Sequence, residues 1–354
     1  MLELANDPIE AGDVRRARTP DGAEVWLVSR YAQVRAALAD PVLSLDKRNA
    51  RDGYRGFALP PALDANLLNM DPPDHTRLRS LVSAAFTRQR VAEMRPAVER
   101  EAERLLTAVR GRDTVDLMAA YAAPLPMTVI GDLLGVAAED REAFRAWTDT
   151  LIAPDPARPD AARDAMRGMV GLLTRLVAEK RAAPAGDLLS ALAAEPTPSA
   201  DELLSLAFLL LWAGYENSVH VIGNALAYLL THDDRPAPPD LLALADPNRY
   251  AIRRFPLRDT EIGGITIPAG DTVLLSIAAA NRDPARAGAA HLSLGYGPHH
   301  CLGAPLARLE LDVAVAAFGR HLPHAELAVP VGELRWRPSF RSHGLLALPI
   351  TPGP

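Results

Sequence analysis

The pattern of residues 71–230 limits the fold most, because it predicts an almost wholly helical stretch. Apolar residues recur there every three or four positions, and prolines and glycines separate the segments. Long stretches rich in Ala, Leu, Arg and Glu also favour helix. The predicted helices are one opened by Asp71-Pro72-Pro73-Asp74-His75, then 91–109, 124–134, 140–151, 159–181 and 201–230.

Strand patterns lie outside this helical run. Residues 24–30 (EVWLVSR) follow a Pro-Asp-Gly turn and precede a short helix that ends near Asp40. Residues 260–276 read as two strands, with turns at Gly263-Gly264 and at 268–270. These patterns predict small sheets beside the helices.

The last part of the chain is predicted to hold a long helix, 302–321, and a β-like tail, 327–350. No internal repeat, low-complexity tract or flexible linker divides the sequence. We therefore predict a mainly α protein with small β sheets (α+β), and one compact domain over residues 1–354.

The chain has a single cysteine, Cys301, which excludes an internal disulfide framework and any metal cluster that needs several thiolates of this chain. This fits a reducing compartment, and residues 1–10 lack the pattern of a secretory signal, so we expect a cytoplasmic protein. The net charge of -6 gives no reason to expect nucleic acid or an anionic membrane as partner. The apolar stretch 203–230 carries polar residues near its middle, which predicts a buried helix rather than a membrane span.

Cys301 lies in a loop rich in glycine, directly before an amphipathic helix. Gly295 and Gly297 permit tight turns, and the N-terminal end of a helix stabilises a thiolate. Three readings are open for such a residue: a structural free cysteine, a nucleophile served by His299 or His300, or a metal ligand.

The loop LGYGPHHCLGA resembles the heme-binding signature of the cytochrome P-450 family, which is Phe-Gly-x-Gly-x-His-x-Cys-x-Gly. Every specified position matches except the first, where Leu294 stands in place of phenylalanine. The segments 20–41, 71–87, 267–284 and 333–339 also resemble bacterial members. The resemblance implies the cytochrome P-450 fold and heme b ligated by Cys301, with Leu294, Gly295 and Gly303 beside the cofactor.

By the same resemblance, four cationic or hydrogen-bonding side chains contact the heme propionates. His75 and Arg79 come from the helix after Asp71, where their i, i+4 spacing puts them on one face. Arg254 precedes the 260–276 strands, and His299 lies in the cysteine loop.

The long helix carries Ala-Gly-Tyr-Glu-Asn, where the family has alanine, glycine, any residue, an acid and usually threonine. Ala213 and Gly214 would leave room for dioxygen, and Glu216 would deliver protons, although a structural hydrogen bond to a neighbouring loop is the alternative for this acid. Asn217 replaces the threonine, and an amide is a poor proton relay. This predicts less efficient coupling of oxygen activation to product.

The chain is shorter than typical bacterial members. The helix before residue 20 is shortened, and the helix with a glutamate-x-x-arginine pair is reduced to 248–259, where one alignment offers Asp246 and Arg249 and another only arginines. The meander before the cysteine loop is reduced to 285–290. These losses predict a less rigid support behind Cys301 and incomplete heme incorporation.

The leading functional hypothesis is a monooxygenase that oxidises a small organic molecule of secondary metabolism with electrons from a separate ferredoxin and reductase. The alternatives are an auxiliary protein that stabilises a partner enzyme, and a peroxide-driven heme-thiolate oxidase. Arg77, Arg88, Arg90 and Arg308 would form a basic docking patch for the ferredoxin, or else a solvated face. The stretches 53–70 and 153–163 are expected to line the substrate pocket.

Overall fold

The structure is a computed structural model that describes residues 2–3, 12–54, 59–152 and 157–353. Within these ranges the helices are α1 (Tyr31–Ala39), α2 (Pro61–Asp64), α3 (Asp74–Ser83), α4 (Arg88–Thr107), α5 (Pro124–Leu134), α6 (Ala138–Ile152), α7 (Pro159–Ala182), α8 (Leu188–Ala194), α9 (Ala200–Thr231), α10 (Pro238–Ala245), α11 (Ile277–Arg282) and α12 (Ala304–His321). The strands are β1 (Leu2–Glu3), β2 (Arg15–Arg18), β3 (Glu24–Val28), β4 (Leu43–Ser44), β5 (Val115–Asp116), β6 (Phe255–Pro256), β7 (Thr260–Ile262), β8 (Ile265–Ile267), β9 (Val273–Leu275), β10 (Glu326–Leu327) and β11 (Pro349–Thr351).

The prediction of a mainly α fold with small sheets is confirmed. The predicted long helices coincide with α3 to α7, α9 and α12, with boundaries that differ by a few residues. Four short helices, α2, α8, α10 and α11, were not predicted, because segments of four to eight residues give too little periodicity to distinguish from a loop.

The longest helix, α9, runs through the centre of the molecule and positions much of the site. It begins with a capping box, in which the Glu202 N–H donates to Ser199 Oγ at 3.1 Å and the Ser199 N–H donates to the Glu202 carboxylate at 2.8 Å. Most of its apolar residues are buried against α2, α5, α10 and α12. In the described ranges, no helix is long and apolar enough to cross a bilayer.

The main sheet has the order β1-β2-β3-β9, with β9 parallel to β3. The sequence predicted two strands in 260–276, but there are three. The antiparallel pair β7-β8 turns through Gly263 and Gly264, both with positive φ, while β9 leaves this hairpin and pairs Val273 with Trp26.

The prediction of a β-like tail over 327–350 is largely wrong. Its strand pairing consists of β10, β11 and two isolated bridges, Trp336 with Leu345 and Ser342 with Asn248. Pro330 and Pro338 lack the N–H that a ladder requires, which explains why the apolar alternation in this tail does not form a continuous strand.

The two reduced segments behind the cysteine loop are both irregular. Helix α10 ends at Ala245, and residues 246–254 contain only isolated bridges before β6. The short meander contains one helical turn, Pro284–Arg286, before it reaches His291. The absence of a helix over residues 246–254 agrees with the sequence prediction.

Candidate functional site

A cavity of about 340 Å³ lies between α3, α9, α12 and the loop that carries Cys301. Its volume is within the range of small-molecule sites. Nearly all of the site residues predicted from the sequence line it, from four separate parts of the chain: His75, Arg79, Ala213, Gly214, Asn217, Arg254, Leu294, Gly295, His299, Cys301 and Gly303. Glu216 is the exception.

The loop of residues 292–303 (the Cys301 loop) has a fixed backbone. The Cys301 N–H donates to the Leu294 carbonyl at 2.7 Å, and the Gly295 N–H donates to the Leu292 carbonyl at 2.8 Å. Gly295 and Gly297 have φ of 73° and 75°, which a residue with a side chain rarely adopts. Burial raises the pKa of the Cys301 thiol, although the Gly303 N–H and the charges of Arg79 and Arg308 act in the opposite direction.

His75 and His299 stack beside the cavity, with ring centroids 4.0 Å apart. Burial lowers the pKa of His299 to about 3, and the neighbouring His75, Arg254 and Arg79 add to this effect. Burial also lowers the pKa of His75, whose Nε2 has no partner within the described part of the chain. Both rings are therefore neutral at pH 7 and keep hydrogen-bonding capacity for a ligand.

Two arginines complete this side of the cavity. Arg79 donates to the His300 carbonyl at 2.6 Å, and burial lowers its pKa. Arg254 is buried, burial lowers its pKa to about 10, and its Nε has no partner among the described residues. A buried guanidinium group with an N–H that has no partner favours an anionic ligand beside it. A heme, with one iron and two propionates, fits this donor set of one thiol, two histidines and two arginines.

Gly214 brings α9 close to α5. A Cβ at this position would lie 2.7 Å from the Ile130 side chain, so the glycine is needed for helix packing as well as for space in the cavity. Ala213 and Asn217 lie on the same side of α9 and also line the cavity.

Glu216 faces away from the cavity, toward the tail of the chain. Its Oε1 accepts from Arg337 at 3.2 Å and lies 3.6 Å from His220 Nε2. Burial raises the pKa of Glu216, against the lowering effect of Arg337. This geometry matches the structural alternative for the acid, in which it pairs with a neighbouring segment.

Sequence reasoning missed a second acid, Glu310, which lies on α12 and lines the cavity. Burial raises its pKa to about 8, although the Ser218 hydroxyl acts in the opposite direction, so the carboxyl is mostly protonated at pH 7. Ser218 also lines the cavity, next to Asn217. The sequence does carry a signal for Glu310. Helical spacing places this acid on the same face of α12 as the apolar residues Leu306, Leu309 and Val313.

The arginines of the expected docking patch differ in exposure and in ion pairing. Arg77 pairs with Glu202 at 2.5 Å and with Asp74 at 3.3 Å, whereas Arg88, Arg90 and Arg308 are exposed. Of the stretches expected to line a substrate pocket, Leu67 and Leu68 do line the cavity, while residues 55–58 and 153–156 lie outside the described residues.

A larger groove of about 720 Å³ lies between α4, α5 and α8, away from Cys301. Its acids mostly have partners, as in the pairs of Asp187 with Lys180 at 2.5 Å and of Glu101 with Arg104 at 2.7 Å. We therefore assign the chemistry to the smaller cavity, where the unpartnered polar atoms lie.

Comparison with known proteins independently supports the same type of site, although no family model matches the chain. The chain is 43% identical over 371 residues to the cytochrome P450 monooxygenase PikC of Streptomyces venezuelae, which covers 96% of this chain and 88% of the relative. It is 40% identical over 378 residues to the vitamin D(3) 25-hydroxylase of Pseudonocardia autotrophica, with 99% and 92% covered. The structure of the tirandamycin C-bound P450 monooxygenase TamI matches with a TM-score of 0.87 at 37% identity, over 97% of this chain and 94% of that one.

Proposed function

Because the chain belongs to the cytochrome P450 family and is a heme monooxygenase of that family, we propose that it uses heme b, held through Cys301, to oxidise a small organic molecule of secondary metabolism. The observation that carries this proposal is that Cys301, two neutral histidines and two arginines line one cavity, where His75 Nε2 and Arg254 Nε have no hydrogen-bond partner among the described residues. The enzyme would act as one domain over residues 1–354, in the cytoplasm.

In this proposal Cys301 would provide the thiolate ligand of the heme, and His75, Arg79, Arg254 and His299 would hold its propionates. Bound heme supplies the activation of dioxygen, and a thiolate ligand favours O–O cleavage. Ala213 and Gly214 keep space on the α9 side of the cavity, while the apolar side chains of Leu209, Leu210 and Ile130 exclude water. Asn217 would hold water or substrate by hydrogen bonds rather than transfer a proton.

In this proposal Glu310 is the acid that supplies protons, because Glu216 faces away from the cavity. Glu310 lines the cavity with a raised pKa and an oxygen, Oε1, that has no partner among the described residues. Ser218, beside Asn217, provides the hydroxyl through which that proton would reach the α9 side of the site.

This small organic substrate is proposed to be mostly apolar. The cavity lining above the polar cluster is mostly leucine, isoleucine and alanine, and the relatives whose names state a substrate include 6-deoxyerythronolide B hydroxylase and vitamin D(3) 25-hydroxylase. Electrons would come from a ferredoxin-type partner that binds the exposed Arg88, Arg90 and Arg308. Neither the auxiliary nor the peroxide-driven alternative finds support in the comparisons.

The proposal is tested by the spectrum of the purified protein after heme supplementation, reduction and addition of carbon monoxide. A strongly red-shifted Soret band indicates a thiolate-ligated heme. Cys301→Ser should abolish this band, whereas Ser339→Ala, in the tail, should leave it unchanged. A wild-type protein that takes up no heme would contradict the proposal.

A further inference from the structure

The stretch of residues 284–290, between α11 and the Cys301 loop, gives the loop little support. Most of its residues are exposed, and it contains a single helical turn. The hydrogen bonds of its backbone N–H groups are local, such as that from Ala289 to the Arg286 carbonyl at 2.9 Å. An exposed stretch with only local bonds opens easily, so the position of the loop depends on contacts with other parts of the fold.

Asn281, near the end of α11, bonds directly to the first residues of the Cys301 loop. Its Oδ1 accepts from the Leu292 N–H at 2.7 Å, and its Nδ2 donates to Ser293 Oγ at 2.9 Å. Asn281 belongs to the 267–284 segment that resembles bacterial relatives, a resemblance that assigned it no role. It is not among the residues that line the cavity, so it can act on the site only through the loop.

Helix α11 is itself fixed at both ends. At its start Ser276 Oγ accepts the Ala279 N–H at 3.3 Å, and directly after its end Asp283 accepts the Tyr31 N–H of α1 at 2.8 Å. Leu292 is 2% exposed and packs in an apolar cluster to which both helices contribute, through Val34, Leu38, Ile277 and Ala280. Leu292 is therefore held twice, by the packing of its side chain and by the bond of its N–H to α11.

The residues that Asn281 holds adjoin the carbonyls that shape the rest of the loop. The Leu292 carbonyl accepts the Gly295 N–H at 2.8 Å. The carbonyl of Leu294, the residue after Ser293, accepts the Cys301 N–H at 2.7 Å. Both bonds require these carbonyls to keep their direction, so a shift of residues 292–293 would move the backbone of Cys301 as well.

We propose that Asn281 is a positioning residue, whose two hydrogen bonds fix the start of the Cys301 loop against α11 and thereby fix where the cysteine sulfur lies. An asparagine suits this role, because its side chain offers an acceptor to a backbone N–H and a donor to a hydroxyl at the same time. Asn281 does not touch the reacting atoms. This inference rests on the proposed function, in which Cys301 ligates the heme iron.

The first test measures hydrogen–deuterium exchange of the full chain, resolved to single amides. Asn281→Ala should speed the exchange of the Gly295 and Cys301 amides about tenfold, as expected for the loss of one hydrogen bond, although Asn281 contacts neither of them. A purely local bond would change only the Leu292 amide. Asn281→Asp keeps an acceptor for the Leu292 N–H and can accept from the Ser293 hydroxyl, so its exchange should match the wild type.

The matched control is Asp116→Ala, on β5, away from the loop. Asp116 Oδ1 accepts the N–H groups of Met118 at 3.0 Å and of Leu348 at 2.8 Å, so this variant also loses two hydrogen bonds. It should lower the global unfolding midpoint without faster exchange at the two loop amides. The comparison separates a loss of loop position from a loss of overall stability.

The second readout is the carbon monoxide spectrum of the reduced, heme-loaded protein. The share of heme with the red-shifted band should fall several-fold in Asn281→Ala, recover in Asn281→Asp and stay at the wild-type value in Asp116→Ala. If Asn281→Ala does not fold, Ser293→Ala, which removes one of the two bonds, replaces it and should speed exchange at Gly295 and Cys301 several-fold.

Unchanged exchange at Gly295 and Cys301 in the folded variant would overturn the inference, and so would an unchanged share of the red-shifted band. Absence of the band in the wild type would overturn the proposed function instead, and the exchange of the two amides would still decide whether Asn281 fixes the loop.

Discussion

Gly297 and Ala39 lie in backbone contact, since a Cβ on Gly297 would lie 2.9 Å from the Ala39 Cα. The Cys301 loop is thus packed directly on the C-terminal end of α1. Because Gly297 also has φ of 75°, two separate constraints require glycine at this position.

Gly297→Ala should therefore lower the free energy of unfolding by about 2–4 kcal/mol, from left-handed strain and from overpacking against α1. The control is Gly288→Ala, which has φ of 81° but open space around the new Cβ, and so should cost only the strain, about 1–2 kcal/mol. Urea unfolding of both variants measures the difference. Equal losses would show that the contact with Ala39 has no energetic role.

The pair of Arg337 and Glu216 is buried, with exposed side-chain fractions of 8% and 14%. Arg337→Met should destabilise the fold by about 3–5 kcal/mol, because it removes the cation that pairs with the buried carboxyl of Glu216 and leaves the neutral His220 and the like charge of Asp149 beside it. The double variant Arg337→Met with Glu216→Gln should recover most of this loss.

The loss of stability caused by Arg337→Met should also depend on pH. Burial already raises the pKa of Glu216, and removal of the cation raises it further. An acid with a raised pKa in the folded state stabilises the fold at low pH and loses that contribution as the pH rises. The deficit of Arg337→Met should therefore be smaller at pH 5 than at pH 8 in chemical denaturation, and a deficit independent of pH would count against the pairing.

Glu310 makes the stability of the wild type fall with rising pH. Its pKa is about 8 in the fold against 4.5 for the free side chain, so the unfolded state loses its proton first as the pH rises between these values. Glu310→Gln should remove this part of the pH dependence, on the order of a few kcal/mol between pH 4.5 and 8. Glu333→Gln, at an exposed position, should leave the curve as it is. Superimposable curves for Glu310→Gln and the wild type would contradict the raised pKa.

Asn217 should limit the coupling of oxygen activation to product, because its amide cannot pass on a proton as a hydroxyl does. Asn217→Thr should lower the hydrogen peroxide released per reductant consumed, with more product formed. Asn217→Ala, which removes the amide without adding a hydroxyl, is the matched control and should bring no improvement. The experiment measures the product formed and the peroxide released per reductant consumed. Unchanged values in Asn217→Thr would show that Asn217 does not limit the coupling.

The predictable part of the site is local in sequence. The spacing of His75 and Arg79 puts both on one face of α3, and the glycines and following helix of the Cys301 loop are visible within about a dozen residues. The long apolar helix α9 is likewise visible from periodicity, because its apolar residues repeat over 32 positions.

The rest of the site and of the fold depends on contacts between residues that are far apart in the sequence. Arg337 and Glu216 are 121 residues apart, so the partner of this acid was not deducible from the sequence near it. Asp246 directly follows α10, and nothing local distinguishes this acid, whose Oδ2 is shielded from solvent, from one that faces solvent. Glu310 differs, because its place on the apolar face of α12 was a local signal. The third strand of 260–276 was missed for a similar reason, since β9 is stabilised by pairing with β3 rather than by its neighbours in sequence.

The hydrogen bonds between residues 245–251 and residues 341–343 have a consequence for the order in which the protein folds during synthesis. The ribosome completes Cys301 about forty residues before it reaches His343, whose N–H bonds to Pro247 and whose carbonyl accepts from Asn224 at 2.8 Å. These bonds span roughly a hundred residues of chain, and contacts of such separation form late. Stable capture of the cofactor is therefore expected only after the ribosome has passed His343, when the segment that supports the Cys301 loop can complete its hydrogen bonds.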